Sequence, residues 1–430
     1  MQAFVIALLG IVTTFGYLKK IGYLPDAAPF LLEVFSMAAL VLVVARGVQS
    51  GFRYVRPAYW LIFCAVGLSL VCGVLANGVQ PGPIVSGLRY YFRAIPFFLL
   101  PAVYQFSEKQ IAGQLKFMAV IALLQLPIAV SQRLANLRVH GQTGDTTQGT
   151  LLNSAILSIF LIGVVSVLLG LWMRGTMRLR TALVMFFACV IPTTINETKA
   201  TLFLLPIAIL VTFLAGARPG TRLKATLIAL ASLSIFLAIF IPVYDSLIMT
   251  RGTYAAKLED FFTSEGRAST YMYSGAQIGD TENVKRVDAI VVPLRFLSED
   301  PVRLVLGVGV GNASRSQFGE QFAGAYFDTM GPFTGTSFAM VTTELGLLGL
   351  ALAWLLHWRV FSDARSVAAG GSGLLSAVAM GWCGVVALVT VGYFYKSLIV
   401  YDSMTTLFWY FSGLIAAERM RREVDAERAA

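Results

Sequence analysis

Charge is scarce in this sequence. Asp, Glu, Lys and Arg make up 13% of its 430 residues, where soluble domains carry about 25%, while 57% of the residues are hydrophobic. A chain so poor in charge cannot solvate its own surface, which excludes an ordinary cytosolic enzyme. Cysteine is equally sparse: Cys64, Cys72, Cys189 and Cys383 all lie inside apolar runs, without CxxC spacing or a histidine cluster nearby. That argues against a disulfide framework and against a zinc site, and no cofactor is expected. Internal repeats and low-complexity tracts are also lacking. The first apolar run, 3–18, has no basic residue ahead of it and no small-residue cleavage site behind it, so it reads as a retained span rather than a signal peptide.

Long apolar runs, by contrast, recur from end to end. Stretches of about 17 to 25 residues, enough to cross a hydrocarbon core of roughly 30 Å as helices, predict an all-α polytopic membrane protein. The expected spans are 3–18, 29–45, 59–75, 84–104, 115–133, 150–173, 181–195, 200–216, 225–243, 336–356, 374–393 and 403–416, about twelve transmembrane helices. They divide the chain into 1–245 with nine spans, a polar loop domain at 246–333, and 334–430 with three spans and a tail.

The chain has 33 Lys and Arg against 23 Asp and Glu, a net charge of +10. Most of the excess falls on alternate short loops, with Arg46, Arg53, Arg56, Lys109, Lys116, Arg174, Arg178, Arg359 and the C-terminal tail on one side. By the positive-inside rule that side and both termini are cytoplasmic, and 246–333 is external. Lys19 and Lys20 are the exception. The charge excess is thereby a topology signal, and a nucleic-acid partner loses its support.

Several polar residues stand out against this apolar background. Arg89 and Arg93 are four residues apart within the fourth span, on one helix face, where charge is costly and normally functional. The alternatives are snorkelling to the interface or a structural ion pair with Glu33 or Glu344. Outside the fifth and sixth spans, Arg138 and His140 precede a run of glycine, hydroxyl and amide residues that includes Asp145, a mixture suited to a sugar or phosphate. The turn holding Asn196, Glu197, Thr198 and Lys199 is a compact polar cluster at a helix start, where the dipole favours an anion. In the loop domain Lys285, Arg286, Arg295 and Arg303 form a cationic series around the apolar piece 289–297, interrupted by Asp288, Glu299 and Asp300. The glycine-rich Gly307-Val-Gly-Val-Gly-Asn312 lacks the spacing of a dinucleotide fingerprint and reads as a turn that lets backbone N–H groups approach an oxyanion, or lets the chain re-enter the membrane.

The order of an arginine-bearing fourth span, Arg138 with Gly141 and Asn153, a polar turn at Lys199, a large loop, Gly307–Asn312 and then Glu344-Leu-Gly-Leu-Leu-Gly-Leu350 resembles the O-antigen polymerase and ligase family. The resemblance covers nearly the whole chain. Ligases of that family place a His-Asn pair shortly before the glutamate, where this chain has Gly335-Thr336, so the polymerase is the better match and lipid A core ligase the weaker one. The resemblance implies a metal-independent glycosyltransferase of the bacterial inner membrane. Its donor and acceptor would be undecaprenyl-diphosphate-linked glycans of O-antigen or exopolysaccharide type, used at the periplasmic face with membrane lipids around it and a chain-length regulator as a further partner. Arginines would stabilise the departing diphosphate, with Arg89, Arg93, Arg138, Lys199, Arg295 and Asn312 as binding residues and Arg286 as the catalytic cation. The general base is left open among Glu197, Asp145, Glu344 and His140. A transporter of the same lipid-linked glycan is the competing class, although inverted halves with midplane charges, its usual mark, are not evident.

Overall fold

A computed structural model describes residues 1–140, 146–217, 222–247, 272–278, 284–316, 318–371 and 373–429. Among them the regular structure is entirely helical. The chain runs α1 (Gln2–Lys20), α2 (Leu31–Ser50), α3 (Pro57–Asn77), α4 (Pro81–Phe92), α5 (Ile95–Val103), α6 (Glu108–His140), α7 (Ser154–Met173), α8 (Leu179–Ile195), α9 (Thr201–Gly216) and α10 (Arg222–Leu247). After the loop domain's α11 (Asp288–Ser298), α12 (Pro301–Leu306) and α13 (Phe327–Met330) come α14 (Ser337–Ala369), α15 (Leu374–Gly392) and α16 (Asp402–Ala429). Among the described residues seven helices, α1, α2, α3, α6, α7, α14 and α15, are long and apolar enough to cross a membrane, and α8, α9 and part of α10 are shorter apolar helices.

Every stretch expected to span falls on helix, with two differences. The run 84–104 is two helices, because Pro96 in the first turn of α5 brings no N–H to continue the ladder of α4. Helices α6, α14 and α16 outrun their apolar stretches, α14 by more than a dozen residues past 356. Hydropathy marks where lipid would stop, whereas the helical hydrogen-bond ladder continues equally well into water.

Of the seven long apolar helices, α7, α14 and α15 are the most buried, and α15 packs against both of the others. Small residues let them close. A Cβ at Gly170 of α7 would strike the Ala377 carbonyl of α15, and one at Gly381 would strike the Ser166 carbonyl of α7. Backbones at such range gain packing and lose little side-chain entropy, the usual means of helix association where the hydrophobic effect between helices is weak. Two ends can be told apart by contacts. At one, here the basic end, Arg56 before α3 pairs with Asp363 late in α14 at 3.2 Å and with Glu423 late in α16. At the other, the loop end, Ser337 N–H at the start of α14 donates to Lys396 O after α15 at 3.1 Å. The loop domain adds a small core of its own, with Val292, Leu297, Val308, Ala313, Met330 and Phe333, against the start of α14.

Candidate functional site

The loop end gathers most of the singled-out residues, built on three pieces of chain. The first is α4. Arg89 and Arg93 point the same way, as their spacing requires, and both reach the carboxylate of Glu33 in the first turn of α2; the Arg93 pair measures 2.8 Å. Arg93 also pairs with Asp402, the first residue of α16. The guanidinium side chains are 7% and 6% exposed, against 29% for Glu33 and 28% for Asp402, so the carboxylates form the open half of the cluster. Two cations and two anions balance, which is what permits burial. Arg89 also lies over the Phe318 ring of the loop domain, 5.8 Å from its centroid.

The second piece is the connection 393–401 between α15 and α16. It ends on Asp402, it supplies Lys396 O to α14, and its Tyr395 ring lies 4.5 Å beneath the guanidinium of Arg286. Arg286 precedes α11, which is therefore anchored here rather than hanging free. Asp288, fully buried in the first turn of α11, accepts from the Ser274 N–H and hydroxyl at 2.8 and 2.7 Å and sets that entry. Arg295, further along α11, is exposed, and Arg303 lies over the Phe296 and Tyr326 rings.

The third piece joins the two glycine motifs. Val308 and Gly309 N–H groups donate to the Thr343 and Glu344 carbonyls at 2.8 and 3.0 Å. Gly307, Gly309 and Gly311 all have positive φ, and so does Gly346, where α14 kinks. Cβ atoms at Gly307 and Gly346 would overlap the partner backbone, so glycine is required twice over at this crossing. Glu344 is fully buried, its Oε1 accepting from Ser314 N–H at 2.9 Å and its Oε2 from the Tyr91 hydroxyl at 3.0 Å. Asn312 donates to Val308 O and accepts from Ala325 N–H, both at 2.9 Å. Both residues brace the turn.

A separate polar cluster lies where α6, α8 and α10 meet. Arg133, 7% exposed, donates to Ile195 O at 2.5 Å and faces Glu197 at 3.4 Å. Asn196 donates to Ser154 O and to the Ser158 hydroxyl at 3.0 and 2.9 Å, and Tyr244 caps the turn through Glu197 O at 2.7 Å. Glu197 holds φ +58°, an uncommon value for a residue with a side chain. Lys199 is half-buried in the same turn, and Arg138 is exposed further out on α6. Asp145 and Gly141 lie outside the described residues, as does the side chain of His140.

Arg93, which shares Glu33 with Arg89, and Arg286 thus meet the same connection between α15 and α16, at Asp402 and Tyr395, and Glu197 with Lys199 lies in a separate turn. Two residues escaped sequence reasoning. Asp402 reads as the polar start of a span, and Arg133 as one more loop charge; neither signals its partner, because the partners are remote in sequence. Among the described residues no group of three or more His, Cys, Asp or Glu could hold a metal ion. The four cysteines are free thiols. No protein-family model and no curated protein matches the chain.

Proposed function

We propose that the protein is a glycosyltransferase that polymerises undecaprenyl-diphosphate-linked oligosaccharide repeats at the periplasmic face of the bacterial inner membrane, with both termini cytoplasmic. The observation that carries this reading is Arg93 held between Glu33 and Asp402, with Arg89 on the same glutamate. Two arginines share one oxygen of Glu33, Arg93 turns its other nitrogen to Asp402, and the more exposed half of the cluster is carboxylate. A diphosphate is a better partner for two guanidinium forks than a carboxylate is, so an incoming donor takes the place of Glu33 or Asp402.

The chemistry then closes with these groups. The acceptor hydroxyl oxygen attacks the anomeric carbon, the bond from that carbon to the phosphate oxygen breaks, and its electron pair leaves with the diphosphate. Arginines Arg89, Arg93 and Arg286 meet the charge that develops. A displaced Glu33 or Asp402, next to the leaving group, accepts the hydroxyl proton, a role for which Glu197 with Lys199 is the second candidate. Glu344, with both carboxylate oxygens already engaged inside the protein, is the weaker choice.

The test is to supply purified protein with lipid-linked repeat units and resolve the products by size. A ladder of longer chains is expected. Movement of the same lipid between leaflets without elongation would replace this reading by the transporter.

A further inference from the structure

Away from the arginines, helices α6, α7, α15 and α16 leave a slot of about 290 Å³ between them. Its lining on α15 alone extends from Leu374 to Val389, about 22 Å at 1.5 Å per residue. That is most of the thickness of a hydrocarbon core, about 30 Å. The walls are almost wholly apolar, with Phe160, Gly163 and Trp382 among them. Such a space is long and narrow, and its lining offers water too few partners to hold it.

Among the described lining residues Thr176 spends its hydroxyl on Leu171 O, and the charged one is Lys116 on α6. It is exposed, and among the described residues it makes no hydrogen bond or ion pair. Its neighbour Leu115 packs on the Leu171, Ala377 and Val378 cluster, which places Lys116 toward the basic end of the slot. The acidic group at that mouth, Glu108, is engaged by the N–H of Leu374 at 3.2 Å. An ammonium on a long apolar stem beside a hydrocarbon slot reaches outward to the headgroup level and draws an anion there. The arginine cluster lies at the opposite end of the bundle, so this anion is not the diphosphate of the proposed donor.

We infer that the slot holds one acyl chain of an anionic phospholipid, with its phosphate on Lys116 at the basic end of the bundle. The lipid fills the gap that α6 leaves against α7 and α15 and so belongs to the folded protein. Because binding is read without any turnover, this inference stands or falls independently of the polymerase reading.

The experiment reconstitutes the full chain in nanodiscs of equimolar phosphatidylglycerol and phosphatidylethanolamine and counts retained lipids by native mass spectrometry after release. One phosphatidylglycerol per protein is expected, preferred about fivefold, which is what one lysine near an anionic headgroup is worth. Lys116→Gln should abolish the preference while a chain is still retained. A Cβ at Gly163 would meet Val385 and Leu388 at an ordinary 3.8 and 3.9 Å, so Gly163→Ala should retain the lipid. Gly163→Leu, reaching into the slot, should expel it. Equal retention of the two lipids by the unmodified protein, an unchanged ratio in Lys116→Gln, or displacement of phosphatidylglycerol by added polyprenyl phosphate would each overturn the inference. Should Gly163→Leu not accumulate, the Lys116→Gln ratio decides alone.

Discussion

Gly307 is laid across the backbone of Glu344 so closely that a Cβ on it would overlap the glutamate carbonyl. This crossing joins the two glycine motifs, ties the loop domain to the kink of α14 and turns the Glu344 carboxylate toward Ser314 and Tyr91.

Alanine at this crossing is therefore expected to be costly. Gly307→Ala meets both a backbone conformation, φ 71° with ψ −168°, that essentially glycine alone adopts, about 1–3 kcal/mol, and the overlap with Glu344, about 1–3 kcal/mol more. Gly346→Ala should behave alike. Gly335→Ala, with nothing within 4 Å of its Cβ, is the control and should melt like the parent in detergent. Equal melting temperatures for all three would mean that the crossing tolerates a side chain.

Arg93 has two carboxylate partners, so its variants separate charge from geometry. Arg93→Ala strands Asp402 and leaves Glu33 to Arg89 alone, and with both carboxylates partly exposed it should cost about 3 kcal/mol, the low end for a broken buried pair, seen as reduced accumulation in membranes. Arg93→Lys keeps the charge without the planar fork. It should accumulate yet elongate on the order of 100-fold more slowly in the ladder assay. A normal ladder from Arg93→Lys would take the residue out of the chemistry.

At the Arg286 and Tyr395 pair, the stacking itself is worth about 0.5–1 kcal/mol. Tyr395→Leu should consequently be mild in both stability and chain length. Arg286→Ala should cost on the order of 100-fold in rate if the guanidinium meets the leaving group. Matching mild effects from the two variants would leave Arg286 a positional role.

Topology can be checked on the loop domain directly. Ser298, exposed at the end of α11, should react as Ser298→Cys with an impermeant thiol reagent on intact spheroplasts, in a background lacking the four native cysteines. Labelling that appears after lysis and not before would invert the bundle.

The sequence alone determined the class of this protein and the helix over each expected span, because an apolar run of bilayer length is a local property with one backbone solution. It also pointed to the shared face of Arg89 and Arg93, which follows from helical periodicity. The break inside 84–104 was half legible, as Pro96 announces it without giving the angle at which α5 leaves α4. Only the tertiary structure decided what these charges touch. Asp402 is 309 residues from Arg93, and Glu33 is 60. The sequence offered Glu33 and Glu344 as partners for these arginines and the fold delivers Glu33, but nothing near Asp402 names Arg93, since a buried charge is compensated by whichever opposite charge the packing delivers. The same holds for Glu344, which reads as an available base in sequence and is a brace in the fold. Its two hydrogen-bond donors come from α4 and from the glycine turn, and only closure of the helices brings them within reach.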